Sequence, residues 1–383
     1  RRRARTVPLP ISTAVFAFSV ACLTCLIVTP LVRRFAVRVR WRDFPRDAEH
    51  KVRRSTRTHA GGIALLAALM VALWSVDAAF VEVSARLRSD LLFLLPGVLL
   101  ATGIGLIDDL RGCRPLEKLL VQTVGAAIVV AVVAPLPPTW ILATLPIPTM
   151  AVAAVFALWI VGTTNAVNLV DGADGLAPGL ATLNAAGLAA VAVVTGELAV
   201  GILAAATAGC AMGFLRSNRH PAKIYLGDSG SMLLGFVLGA LGVVLVARSE
   251  SPTVALAVVL MGWVPLLDTL LAVLRRVRSG VSPFRPDRDH VHHRLIAHGM
   301  SVPTAVACLC ATGIVATGAG LAVVLGASAG PWLAAVGIVT LPLARVVLPL
   351  RVTARVDDPR RAPMATPDPT SEPALRAAQN RAA

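Results

Sequence analysis

Apolar stretches about twenty residues long recur along this chain, and no other feature limits its possible folds so severely. A helix of that length rises about 30 Å, the thickness of a bilayer's hydrocarbon core. Eleven stretches qualify as candidate spans, at roughly 8–32, 60–80, 91–107, 118–134, 149–165, 176–195, 198–215, 230–247, 253–274, 303–327 and 331–349. Lipid offers backbone N–H and C=O groups no partner, so spans of this kind have to be helices. Composition agrees: 56% of the 383 residues are hydrophobic and 15% charged, whereas a soluble domain is about half apolar and a quarter charged. The expected fold is therefore an all-α polytopic membrane protein of about 11 transmembrane helices.

Those spans form one integral domain over residues 1–352. The segment 353–383, rich in Pro, Ala, Arg and Thr, has little to bury and is expected to be a disordered tail. "PLPPTWILATLPIP" (135–148) has a β-prone centre between prolines and is expected to form a short external hairpin or loop. Pro265 falls inside the ninth span, where its missing N–H predicts a kink. The first apolar stretch is long and others follow it, so no cleavable signal peptide is expected. Cys22 and Cys25 have redox-motif spacing, yet within a lipid-embedded helix they read as small packing residues, and no disulfide framework is implied.

A net charge of +15 could serve a polynucleotide, but its placement points elsewhere. If the loop after the first span is cytoplasmic, alternation assigns every other loop. The cytoplasmic set then holds 28 of the 36 Lys and Arg, including ten in 33–59 and six in 275–302. External loops hold Arg86, Arg88 and Arg248, and only Arg1, Arg2, Arg3 and Arg5 oppose the bias. Positive-inside topology accounts for the charge without nucleic acid.

The same topology gathers the unusual polar residues on the cytoplasmic face. "IDDLRGCRPLEK" (107–118), "NAVNLVDGADG" (165–175), "RSNRHPAKIYLGDSGS" (216–231) and "RRVRSGVSPFRPDRDHVHHRL" (275–295) follow the third, fifth, seventh and ninth spans. Asp108 and Asp109 can share a divalent cation or a proton, or form a solvated pair facing Arg111 and Arg114. Asn165, Asn168, Asp171 and Asp174 recur every three residues, which gives one polar stripe if the helix continues and an Asn/Asp/Gly cap if it does not. Asp228, between Gly227 and Gly230, reads as an N-cap or as a carboxylate holding Mg²⁺ against a diphosphate. His290, His292 and His293 sit among Arg285, Arg288 and Arg294, a cationic setting that favours phosphate contact over zinc. His50, His59, His220 and His298 stand singly. Lys51, Lys118 and Lys223 are candidate phosphate partners or ordinary membrane-surface lysines.

Together, "GLIDDLRG", "NAVNLVDGADGLA", "HPAKIYLGDSGSMLLGF" and "SPFRPDRDHVHHRL" resemble the polyprenyl-phosphate N-acetylhexosamine-1-phosphate transferases of the glycosyltransferase 4 type. The resemblance covers about residues 10–350. The H-x-H-H spacing after "PDRD" is similar to the undecaprenyl- or decaprenyl-phosphate N-acetylglucosamine-1-phosphate transferase branch, whereas the muropeptide branch more often shows three consecutive histidines. The first cytoplasmic loop departs from the family's K-x-H-x-x-P-T-P-R-x-G-G. Here "KVRRSTRTHAGG" (51–62) keeps Lys51, Gly61 and Gly62 but has Arg53, Thr56, Thr58 and His59 at the other four positions.

The resemblance implies a reaction in which polyprenyl phosphate and a UDP-N-acetylhexosamine give a polyprenyl diphosphate sugar and UMP. It implies Mg²⁺, with Mn²⁺ as the other candidate, held mainly by Asp228. It assigns catalytic work to Asp108, Asp109, His290, His292 and His293. Substrate contact would fall to Lys51, Lys118, Asn165, Asn168, Asp171, Asp174, Asn218 and Arg288. The enzyme would sit in the cell membrane with a cytoplasmic active site, and homodimers are common in the family. Three rivals are a phospho-N-acetylmuramoyl-pentapeptide transferase, a transporter, and a degenerate family member acting as a regulator or scaffold, whose mark would be loss of the acidic residues that this chain keeps. A transporter would place its carboxylates near the bilayer midplane, often on repeated elements, and the D-D and N-x-x-N-x-x-D patterns do not repeat here.

Overall fold

The computed structural model describes residues 11–39, 58–133, 138–144, 148–278, 280, 282 and 290–347. Lys51, Arg285, Arg288 and the 353–383 tail lie outside the described residues. Fourteen helices occur within them: α1 (Ile11–Arg38), α2 (Gly61–Ala79), α3 (Val81–Arg111), α4 (Pro115–Val133), α5 (Thr139–Thr144), α6 (Thr149–Val170), α7 (Leu176–Thr195), α8 (Leu198–Asn218), α9 (Gly227–Arg248), α10 (Pro252–Met261), α11 (Trp263–Arg278), α12 (Val291–Ala297), α13 (Val302–Val324) and α14 (Ala329–Val347). The protein is an all-α polytopic membrane protein.

Nine of the described helices are long and apolar enough to cross a bilayer, and α10 with α11 makes a tenth span bent by 73°. The eleventh expected span corresponds to α14, whose described apolar stretch Ala329–Leu343 is shorter than a full crossing. The bend has a covalent cause. Pro265 cannot donate to the carbonyl four residues back, which belongs to Met261, and α10 ends at that residue. The sequence places a kink at Pro265; the break itself falls one helical turn upstream, at Gly262.

The 135–148 segment departs from its expected hairpin. Its described centre is the short helix α5, with Ile141 N–H donating to Pro138 O at 3.0 Å. Trp140 Nε1 donates to Ser249 O at 3.3 Å, beyond the end of α9. With no strand among the described residues to pair with, docking of Trp140 overrides the β-preference of the Trp and Ile.

α9 is the axle of the bundle, with α2, α3 and α6 packed closely round it and its apolar stretch wholly buried. Lipid is as apolar as leucine, so helices in a membrane associate by close packing, which small residues permit. A Cβ on Gly235 would lie 2.7 Å from Thr164 Cα in α6. Large apolar side chains instead face outward, among them Leu23, Trp74, Leu92 and Leu158.

Candidate active site

The ends of α3, α6 and α8 and the starts of α4, α7 and α9 meet at one end of the bundle. Gly227 opens α9 with φ +74, a conformation that favours glycine, and the next N–H groups start the helix without intrahelical partners. Asp109 satisfies them from α3: its Oδ1 accepts from Asp228 N–H at 2.8 Å, and its Oδ2 from Ser229 N–H at 3.0 Å and Ser229 Oγ–H at 2.7 Å. The approach depends on Gly105, one turn earlier, where a Cβ would lie 2.6 Å from the Asp228 carbonyl. Asp109 is thus spent as a helix cap supplied by another helix.

Its neighbour Asp108 is turned to a different task. Asp108 accepts from Cys113 N–H and from Lys118 Nζ, the latter at 3.2 Å, and Lys118 also donates to Asp228 Oδ2 at 2.8 Å. One ammonium therefore draws together two carboxylates from α3 and α9. The α3–α4 turn makes this possible, since α4 begins at Pro115 and carries Lys118 within its first turn.

The three-residue stripe holds for most of its length and then divides. Helix α6 runs through Val170, so Asn165, Asn168 and Asp171 share a face. Asn165 Nδ2 donates to Gln122 Oε1 on α4 at 2.6 Å, and Asn168 Nδ2 to Ser231 Oγ on α9 at 2.8 Å. Both asparagines bind helices together. Asp171, the C-cap, has no side-chain hydrogen bond among the described residues. Its carboxyl is pushed well above the usual range, first by burial and then by the charges of Asp228, Asp109 and Asp174.

Asp174 leaves the stripe and reaches the loop before α9. Its Oδ2 meets His220 Nδ1 at 2.9 Å and accepts from Ala222 N–H at 3.0 Å. Asn218, almost fully buried, accepts from Gly175 N–H at 2.9 Å and donates to Ile224 O at 3.0 Å. Asp174 and Asn218 therefore tie the 171–175 turn to the α8–α9 loop. His59 stacks on Tyr225 of that loop, with centroids 5.2 Å apart.

The histidines arrive from a different part of the fold. His290 is the N-cap of α12, and the His290 and His292 rings stack at 5.9 Å with an interplanar angle of 3°. His292 and His293 lie 4.1 Å apart. His292 is buried with Nε2 unpartnered among the described residues, and a Cβ on Gly172 would collide with that nitrogen. Glycine at 172 thus lets the histidine group close on the turn that carries Asp171. Burial, then the charge of His293, holds the His292 imidazole down to about 4, so it stays neutral at physiological pH.

Residues 91–246 match the family model described as Glycosyl transferase family 4. A Bacillus subtilis protein named "Probable undecaprenyl-phosphate N-acetylglucosaminyl 1-phosphate transferase" is 31% identical over 296 residues, 75% of this chain and 78% of its own length. The chain belongs to this family. A decaprenyl-phosphate N-acetylglucosaminephosphotransferase of Mycolicibacterium smegmatis is 33% identical, with 78% of this chain and 79% of that one covered. A phospho-N-acetylmuramoyl-pentapeptide-transferase of Limosilactobacillus fermentum is 32% identical, covering 73% and 87%. In this glycosyl transferase family 4 chain the matched segment runs from α3 into α9. It takes in the aspartates, the asparagines and Lys118 but stops short of the histidines.

Several residues of the site escape a reading of the sequence. Gln122, Ser229 and Ser231 receive or return the bonds of the expected residues. Asp268 binds His290 and the start of α12. A lone carboxylate in "WVPLLDTLLAVL" carried its own signal, because an ionisable residue inside an apolar span demands a partner.

As a whole the group offers hard oxygen donors. Asp108 and Asp228 share one ammonium while Asp171 feels the charges of Asp228, Asp109 and Asp174, so negative charge exceeds its cation and suits Mg²⁺ or Mn²⁺ better than a soft metal. Among the described residues no three His, Cys, Asp or Glu side chains form a ready-made metal cage. Magnesium rarely uses one, since it binds through one or two carboxylates together with water and substrate phosphates.

Proposed function

We propose that this chain transfers N-acetylhexosamine 1-phosphate, preferentially N-acetylglucosamine 1-phosphate, from a UDP-sugar to polyprenyl phosphate and releases UMP. The observation that carries this reading is the convergence of Asp108 and Asp228 on Lys118 at one end of the bundle, with Asp171 close enough to feel the charge of Asp228. A lipid phosphate can reach that place along the membrane surface and a nucleotide from water. The names of the Bacillus and Mycolicibacterium relatives support a polyprenyl phosphate acceptor and transfer of N-acetylglucosamine phosphate. The bias of Lys and Arg toward this face supports a cytoplasmic site in a cell-membrane protein.

The transfer forms a bond from a polyprenyl-phosphate oxygen to the sugar-bearing phosphorus and breaks the bond from that phosphorus to UMP. Both reactants are anions, so charge neutralisation is the chief demand. Asp228 and Asp171, with Asp108 beside them, would hold a divalent cation, which supplies Lewis-acid polarisation of the diphosphate. Lys118 sets the spacing of Asp108 and Asp228 and offers a point charge to a phosphate. A phosphate monoester has its second pKa near 6. Asp108 therefore has little base work to do and serves chiefly to position the acceptor. Asp109 fixes the first turn of α9. Asp174 and Asn218 order the turn that the nucleotide would meet, and the histidines would present ring nitrogens to the bound substrate.

Purified protein given polyprenyl phosphate and a panel of UDP-sugars should release UMP from UDP-N-acetylglucosamine, and only with Mg²⁺ or Mn²⁺ present. No UMP from any UDP-sugar under either metal would overturn the reading. The Limosilactobacillus relative favours a second donor, UDP-N-acetylmuramoyl-pentapeptide. Including it in the panel separates the two.

A further inference from the structure

Asp268 sits on α11, the half of the broken span that turns away from α10 by 73°. The buried face of α11 is Val264, Pro265, Asp268, Ala272 and Arg275, the spacing of an inward helical stripe. A carboxylate in such a place is costly unless both oxygens are bonded. Both are. Oδ2 meets His290 Nδ1 at 2.9 Å and Oδ1 accepts the backbone N–H of Val291 at 2.8 Å, all three residues being buried.

One carboxylate therefore does two things at once. It caps α12, whose own N-cap side chain bonds no backbone N–H of that helix. It also determines which nitrogen of His290 carries the proton, because an ionised carboxylate only accepts and Nδ1 must donate to it. The Nε2 of His290 has no partner among the described residues. The other rings about it are His292 at 5.9 Å and His293 at 6.4 Å.

The geometry points to Asp268 as a positioning residue of the transfer site: by holding the Nδ1–H of His290 it leaves Nε2 as a hydrogen-bond acceptor, presented to a hydroxyl of the bound substrate. Carboxylate-to-histidine pairs of this form fix both tautomer and ring orientation. The role in transfer rests on the function proposed above, whereas the tautomer does not.

D268N separates this role from simple helix tethering. The amide oxygen can keep the Val291 bond, which turns the NH₂ toward Nδ1 and drives the ring proton to Nε2. Full-length protein carrying ¹⁵N-histidine in detergent, with H290Q for assignment, should show a protonated Nδ1 on His290 in the wild type and a bare Nδ1 in D268N. UMP release by D268N should fall roughly ten- to a hundredfold in kcat, with KM for the UDP-sugar within about twofold of wild type. D268E, which restores a carboxylate, should recover part of the loss. A bare Nδ1 in the wild type overturns the proposal, and so does a D268N whose tautomer or kcat is unchanged. The wild-type spectrum decides the first point even where a variant does not fold. A wild-type enzyme that releases no UMP counts against the transferase reading alone, and the tautomer still shows whether Asp268 sets His290.

Discussion

Asp108 and Asp109 are adjacent in sequence and opposite in duty, so substitutions at the pair should fail in different ways. Asp109→Ala removes the cap of α9 and should cost about 1–2 kcal/mol of stability, as helix-cap losses do, read as a lowered thermal transition in detergent. Asp228→Ala should abolish UMP release while gel filtration and the thermal transition stay near wild type. Turnover at the wild-type rate would remove Asp228 from metal holding. Lys118→Met should raise affinity for Mn²⁺, measured by electron paramagnetic resonance, while lowering kcat, because it frees two carboxylates from their internal cation. His292 adds a pH signature. Burial holds its folded pKa at about 4, below the usual imidazole value of about 6.5, so its neutral form stabilises the fold above about pH 6.5. That contribution is lost as pH falls toward about 4, up to roughly 3 kcal/mol in all. His292→Gln should flatten that part of an acid-unfolding profile.

At the scale of elements, much was legible because lipid leaves so few choices. The spans follow from length and apolarity. The kink follows from Pro265, although its location at Gly262 depends on which carbonyl the proline leaves unpaired. The four polar loops were legible as a group, since alternation of spans brings them to one face. The duties of single residues inside them were not. Asn168 and Asp171 are one stripe in sequence, yet one side chain bonds a serine and the other feels the charges of neighbouring carboxylates, a difference that depends on what α9 places opposite. α5 was misread because β-preference outside a sheet is weak and the docking site for Trp140 lies more than a hundred residues away. Gly172→Ala tests an element contact directly. A methyl there would meet the buried His292 ring, so kcat should fall with little change in folded yield, and an unaltered rate would show that the α12 histidines do not need to close on the turn.

Over the whole molecule, charge is handled differently at the two ends. Away from the site, Arg88 forms a two-bond pair with Asp77, and Arg248 pairs with Asp90 at 2.7 Å while reaching Glu197 at 3.1 Å. These pairs close on themselves, whereas the carboxylates at the other end exceed their cation. Arg248→Met would leave Asp90, nearly fully buried, without its partner. The expected cost is about 3 kcal/mol, read as a lower thermal transition with KM for the UDP-sugar unchanged in the protein that remains folded. The central place of α9 has a further consequence for how the protein is made. A ribosome delivers α3, α4 and α6 long before α9, and until α9 arrives Asp109 has no helix to cap, Lys118 no second carboxylate to draw in and Asn168 no serine to bond. A nascent chain halted after Asn218 already carries most of the aspartates and can pair Lys118 with Asp108, but it lacks every contact made by α9. Catalytic competence is therefore a late event in biogenesis, since the aspartates wait for α9 and the histidines of α12 follow it.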